Sequence, residues 1–225
     1  MLRGCLGVLA IAMSLMATAQ DPDPPPARGA ILIGASYAEG WRSPSLPGLQ
    51  VVNKGRTGEE TGQLLARFDK DVISERPDVV IIWGHINDIF RAPNGDMAAA
   101  AQKAMRNLEE MVGSAQRAGI RVIVATEVTL REPRGLSNWV ASIIGRMLGK
   151  VSYQTRVNVH VREVNEFLRD LAGREQLTLL DFERALSDES GERRSEFARD
   201  DGSHITENGY EALTAYASAQ LAARR

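Results

Sequence analysis

The sequence predicts an α/β fold, with five parallel strands and helices on both faces of the sheet. Three observations carry this. Short apolar segments alternate with longer stretches of helical periodicity, the pattern of strands joined by crossover helices. One segment, "VVIIW" at Val79–Trp83, is apolar throughout, as expected for a strand covered on both faces. The 225-residue length and 44% hydrophobic content suit one domain with a full-sized core.

In chain order, the first nineteen residues stand apart. Arg3 supplies a positive start, Leu6–Met16 is almost wholly apolar, and Ala17-Thr18-Ala19 offers a small-x-small cleavage pattern. Residues 1–19 therefore read as a secretory signal. A membrane anchor fits less well, because the apolar run falls short of the ~18 residues of a span. The mature chain is expected to be exported, periplasmic or secreted, with no stable membrane span after cleavage. Cys5, the only cysteine, would leave with the signal. "DPDPPPARG" follows, and residues 20–29 read as an extended, solvated linker ahead of a domain over 30–225.

Ala30–Ile33 and Leu49–Val52 are the first two strands. Glu59–Ser74 then places Leu64, Leu65, Phe68, Val72 and Ile73 on one helical face. Val79–Trp83 is the third strand. Asp96–Ala118 is Ala-rich and helical, with Asp96 at its start and Gly119 at its end. Ile120–Ala125 is the fourth strand, Tyr153–Ala172 the next helix, Leu177–Leu180 the fifth strand and Thr206–Ala223 the closing helix.

The connection from Glu127 to Ser152 is long for an α/β unit. Within it, Trp139, Val140, Ile143, Ile144, Met147 and Leu148 recur at helical spacing, with Ser137 to cap the start and Gly149 to end it. Such a helix either packs its apolar side on the domain or acts as a lid. As a lid, its Trp139, Ile143 and Met147 would line an acyl pocket.

Charge excludes some functions. The net charge is −2 and no basic patch stands out, so nucleic acid is not an expected partner. No two of His85, His160 and His204 have metal-ligand spacing, so no metal site is expected. His160 reads as a helix-surface residue, and Trp41 and Trp83 as packing residues.

Four polar blocks follow strand ends or lie near the C-terminus. They are "GASY" with Ser36, "NKGRTGEET" with Gly55 and Gly58, "GHINDIF" with Asn87 and Asp88, and "DDGSH" with Asp201 and His204. In open parallel sheets, ligands sit beyond the carboxyl ends of the strands. A serine hydroxyl needs a base to take its proton, and His204 is the candidate base. Asp201, three residues earlier, can hold the other ring nitrogen and fix the tautomer. A tetrahedral oxyanion needs preset donors, which a glycine N–H and an Asn amide can supply. Activity is then expected to fall on acidification, as protonation disables the base.

These four blocks, in this order, resemble the SGNH hydrolases, also called the GDSL esterase/lipase family. The resemblance runs from about Ala30 to the C-terminus. It implies a three-layer α/β/α sandwich, flavodoxin-like, with no metal or organic cofactor. It implies Ser36 as nucleophile, with Asp201 and His204 completing a triad. The implied oxyanion donors are the Ser36 N–H, the Gly58 N–H and the Asn87 side chain. Gly58 is preferred to Gly55 because the family's donor glycine stands five residues after the Asn at the strand end, here Asn53. Two positions depart from the pattern: Ala35 replaces the Asp of Gly-Asp-Ser, and Gly84 stands one residue further from Asn87 than in G-x-N-D. His85, beside the third block, is either a packed residue or a substrate contact, and Asp88 reads as a loop brace.

The expected activity is that of an exported serine esterase working through an acyl-enzyme. Its expected partner is a small-molecule, carbohydrate or lipid ester, with a short-chain acyl ester or an O-acetylated carbohydrate favoured. Lysophospholipase or thioesterase activity on longer chains, and acyl transfer to a sugar hydroxyl, are the alternatives. A catalytically silent binding domain is the non-enzyme rival, which the presence of Ser36, Asp201 and His204 disfavours.

Overall fold

The structure, a computed structural model, describes residues 28–93, 95–131 and 151–223. Five parallel strands form one sheet: β1 (Arg28–Gly34), β2 (Leu49–Gly55), β3 (Val79–Trp83), β4 (Arg121–Ala125) and β5 (Thr178–Leu180), in the order β2-β1-β3-β4-β5. β1 starts at Arg28, two residues ahead of the apolar run, because Arg28 and Gly29 pair with Leu49 and Gln50 of β2. β3 is buried along its whole length, and Ala30–Ile33 of β1 likewise, so both central strands read as unbroken apolar runs. β2 is an edge strand and alternates in exposure, with Val52 open to solvent.

Helices cover both faces. α2 (Thr61–Phe68), α4 (Met97–Arg117) and α5 (Tyr153–Arg174) pack side by side on one. α1 (Ser36–Gly40), α6 (Phe182–Leu186) and α7 (Glu207–Ala222) cover the other. This division follows from right-handed crossovers, because only the β1-to-β2 connection moves in the opposite direction along the sheet. Trp41 and Trp83 pack here edge-on against Phe182, with centroids 5.3 and 4.8 Å away, and Trp41 Nε1 donates to Thr214 Oγ1 at 2.8 Å. Both tryptophans are core residues, in line with their reading as packing residues.

One predicted helix differs in form. The stretch read as Glu59–Ser74 begins at Thr61, where Glu60 and Gln63 form a capping box. Its last turn, Asp69–Ile73, widens to a π-helix. There Asp71 reaches the buried Arg67 at 2.8 Å while Val72 enters the core. Three five-residue helices, α1, α3 (Ile86–Phe90) and α6, were not predicted.

The strand order reverses direction between β1 and β3, so the connections that leave their carboxyl ends diverge and a crevice lies beyond the sheet there. Ser36 follows β1 there and α3 follows β3. The close approach of these two ends explains two glycines. A Cβ on Gly34 would lie 1.8 Å from the Trp83 carbonyl oxygen, and one on Gly84 would lie 3.0 Å from the Ala35 nitrogen. Gly84, one place out of the family pattern, thus lets the β3 end lie against the turn that carries Ser36.

Candidate active site

Ser36 is the first residue of α1 and half-buried. Its helix is tied to β2 by Asn53, whose side-chain amide donates to the Ala38 and Trp41 carbonyls at 2.6 and 2.9 Å. The Asn53 side-chain oxygen Oδ1 accepts the Gly55 N–H at 2.8 Å, closing the link. From α1, the Glu39 carboxylate takes the Thr57 N–H at 2.8 Å and the Thr57 hydroxyl. Those bonds, the hydroxyl's first, hold Glu39 below the usual carboxylate range. The loop after β2 is thereby fixed beside Ser36.

Gly58 in that loop has φ +83°, a left-handed conformation that favours glycine. Its carbonyl accepts from Arg91 Nη1 at 2.6 Å. Asn87, on α3, donates one amide hydrogen to the Glu59 carbonyl at 2.9 Å, which leaves its second for a ligand. Asp88 turns the other way. Its two oxygens take the Thr61 N–H and hydroxyl at 2.9 and 2.6 Å, locking α3 to the start of α2. Burial raises the Asp88 carboxyl, and the Thr61 bonds oppose that shift. It is a brace, as the sequence suggested.

Asp201 and His204 lie in a loop between the 3-10 turn Ser195–Phe197 and α7. Asp201 Oδ2 is 2.7 Å from His204 Nδ1, while Oδ1 accepts the backbone N–H groups of Ser203 and His204 at 2.8 and 2.9 Å. Partial burial works against ionisation, but the bonds from His204 and Ser203 outweigh it and bring the carboxyl down to about 2. It is a carboxylate at neutral pH, and its bond to Nδ1 leaves Nε2 as the free ring nitrogen.

Two cavities meet at Ser36 and His204. The smaller, about 230 Å³, is lined by Ser36, Gly58, Asn87 and His204 together with Tyr37, Ile86, Phe90 and Leu130. The larger, about 1100 Å³, opens over Glu39, Arg42, Arg199, Glu207 and Glu211. The structure thus brings Ser36, Gly58, Asn87 and His204 to one cavity, with Asp201 behind His204.

Of the two readings of His85, burial favours the packed residue over the substrate contact: it is 1% exposed and lines neither cavity. Burial pushes its imidazole down to about 3, with the Val161 backbone opposing, so the ring is neutral. Its backbone N–H donates to Glu127 Oε1 at 3.0 Å. Glu127, equally buried, is pushed up to about 7 by desolvation, against the pull of the His85 and Ile86 backbone. His160 sits on the outer side of α5 beside Glu163, 2.7 Å away. Trp139, Ile143 and Met147, with the possible lid over 137–149, lie outside the described residues, as does the signal segment 1–19. Among the described residues no group of three His, Cys, Asp or Glu could hold a metal, and no helix is long and apolar enough to cross a membrane.

Tyr37, Ile86, Phe90 and Leu130 were not anticipated as cavity residues. The first two adjoin motif residues, and "INDIF" mixes three apolar with two polar positions, but five residues carry too little periodicity to say which side faces a ligand.

A parallel sheet whose switch-point crevice holds a serine, an Asp-paired histidine and convergent amide donors is the framework of an ester-bond hydrolase. Comparison with known proteins agrees. The model of the GDSL-like lipase/acylhydrolase family matches residues 23–212, and the chain belongs to that family. An acetylxylan esterase of Geobacillus stearothermophilus is 48% identical over 44 residues, a match that spans 20% of each chain. Among solved structures, a GDSL-like lipase from Bacteroides thetaiotaomicron aligns with a TM-score of 0.66 at 19% identity, covering 88% of this chain and 89% of that one. A catalytic mutant of the Geobacillus stearothermophilus acetylxylan esterase aligns with a TM-score of 0.66 at 16% identity, covering 87% and 94%. A lipase/acylhydrolase from Enterococcus faecalis gives 0.62 at 22%, covering 88% and 96%. At these identities the structural likeness speaks to the fold.

Proposed function

We propose that the protein is an exported serine esterase that removes a short acyl group, such as acetyl, from a polar or carbohydrate alcohol. The observation that carries this is the 2.7 Å Asp201–His204 pair beside Ser36, on a cavity that Gly58 and Asn87 also line. Ser36 Oγ attacks the ester carbonyl carbon as its proton passes to His204 Nε2. The carbonyl oxygen becomes an oxyanion, stabilised by the Ser36 and Gly58 N–H groups and the second amide hydrogen of Asn87. The C–O bond to the alcohol breaks, and His204 returns the proton to the leaving oxygen. Water, deprotonated by His204, then attacks the acyl carbon; the bond to Ser36 Oγ breaks, His204 returns the proton to Oγ, and the acid leaves. Asp201 holds the ring and stabilises the imidazolium at each step.

Size and polarity support the substrate class. A cavity of about 230 Å³ beside Ser36 suits a small acyl group. The wider, charged cleft on the other side of Ser36 suits a hydroxyl-rich alcohol. The similarity to an acetylxylan esterase points the same way. Export is proposed from the composition of residues 1–19.

The test is a hydrolysis screen with p-nitrophenyl esters from acetyl to palmitoyl, followed by an acetylated oligosaccharide. The expected result is a kcat/KM maximum at acetyl or propionyl and acetate release from the sugar. A maximum at octanoyl or longer would instead assign a lipid substrate.

A further inference from the structure

We propose that Arg193, together with Tyr37, is a positioning residue that fixes the Asp201–His204 turn relative to the Ser36 turn. The inference rests on the serine-esterase reading above. Arg193 is 0% exposed, and among the described residues it makes no ion pair. Instead its Nη1 donates to the Ser203 carbonyl at 2.9 Å and its Nη2 to the Gly202 carbonyl. Burying a guanidinium without a carboxylate partner is costly, and an apolar side chain would fill the same space at less cost. The charge is accounted for by what its two donors hold.

Those two carbonyls belong to successive peptides. In a trans peptide the C=O and N–H point in opposite directions. The peptide that gives its Gly202 carbonyl to Arg193 gives its Ser203 N–H to Asp201 Oδ1 at 2.8 Å. The next gives its Ser203 carbonyl to Arg193 and its His204 N–H to the same Oδ1 at 2.9 Å. Arg193 thus grips one side of both peptide planes while the Asp201 carboxylate sits on the other. The cation polarises both peptides in the sense that strengthens their N–H donors. Through them it sets the position of the carboxylate that orients His204.

Tyr37 couples this to the nucleophile. It directly follows Ser36, and its hydroxyl donates to the same Ser203 carbonyl at 2.7 Å. Tyr210 in turn donates to the Tyr37 carbonyl at 3.2 Å. The Ser203 carbonyl oxygen is therefore a joint, shared by Arg193 and by the turn that carries Ser36.

The test measures kcat, KM and the rate of fluorophosphonate labelling for Arg193→Met, Arg193→Lys and Tyr37→Phe, each below its own Tm. Arg193→Met is expected to lose about 10²-fold in kcat, the scale of a misplaced catalytic group. KM should stay within about twofold, and labelling should fall in parallel with kcat. Lys restores the charge but not the two-pronged donor, so Arg193→Lys should recover part of that loss and remain about tenfold below wild type. Tyr37→Phe should lose a few-fold in kcat. The low-field NMR proton of the His204–Asp201 bond, present in wild type, should move upfield in Arg193→Met. A folded Arg193→Met or, should that variant not fold, an Arg193→Lys with wild-type kcat and labelling would overturn the proposal, as would a change confined to KM. If wild-type protein itself fails to label, the serine-esterase reading falls first and this inference with it.

Discussion

The turn that carries Ser36 hangs directly from the central strand β1, whereas Asp201 and His204 sit in a loop with about half of their side-chain surface exposed. The first region is placed by the sheet. Gly34 lies against the Trp83 carbonyl, Asn53 ties α1 to β2, and Asp88 pins α3 to α2. Its supports are strand ends and buried hydrogen bonds, which have no slack. The second region has only an isolated antiparallel bridge, Ala198 to Ile205, to hold it. Its successive carbonyls are taken one by one: Gly202 by the Arg131 N–H at 2.8 Å and by Arg193, Ser203 by Arg193 and Tyr37, and His204 by the Arg199 N–H at 2.9 Å. One half of the site is therefore positioned by the sheet and the other by scattered backbone bonds and side chains reaching in. Substitutions in the two halves should fail differently.

The largest effect should come from the sheet-held half. Ser36→Ala removes the nucleophile without touching the supports, so kcat should fall by about 10⁴-fold or more with Tm unchanged. Retention of over a tenth of wild-type kcat would contradict the assignment. Asn87→Ala should cost roughly 10²–10³ in kcat, the usual loss for one oxyanion donor. A rise in KM alone would make Asn87 a ground-state contact instead.

The buried acid beneath this half provides a stability test. Glu127 is raised by burial to about 7, above its value in an unfolded chain. The folded state therefore holds this proton more tightly, and stability falls as pH rises through the folded value. From pH 5 to 8 wild type should lose on the order of 3 kcal/mol at this site, and Glu127→Gln should lose correspondingly less. Chemical denaturation at the two pH values checks this, and parallel losses in both proteins would mean that Glu127 does not titrate there. The smallest effect concerns the cavity wall. Phe90 lines the smaller cavity from an exposed position against Tyr153, with ring centroids 5.7 Å apart. Phe90→Ala should raise kcat/KM for butyryl over acetyl esters by about tenfold, the scale of one or two methylenes in a pocket. An unchanged ratio would move the acyl group elsewhere.

The same contrast explains what the sequence revealed. β3 lies at Val79–Trp83 as read, and the other strands differ at their ends, because buried strands leave unbroken apolar runs and their ends are set by pairing. Ser36 and Asn87 stood out as polar residues just past strand ends, whereas Gly58 was singled out only through the family resemblance, five residues after Asn53. The Asp201–His204 pair was legible through its i, i+3 spacing in a tight turn. Arg193 was not legible, since one arginine in "GERRSEF" looks like any solvated charge until the chain folds it under the loop. The sequence left His85 open between packing and substrate contact for a related reason. Nothing local says that α5 and Glu127 close over it. The five-residue helices α1, α3 and α6 span little more than one turn, too short for a period to show, and the π-turn after α2 depends on where Arg67 draws Asp71.

The central claim is that Ser36 is an activated nucleophile whose base is His204. Intact-protein mass spectrometry after fluorophosphonate treatment, with peptide mapping, addresses it most directly. The account expects one adduct per wild-type chain on the peptide containing Ser36, none on Ser36→Ala, and labelling slowed by several orders of magnitude in His204→Ala. An adduct on another residue, or undiminished labelling of His204→Ala, would contradict it.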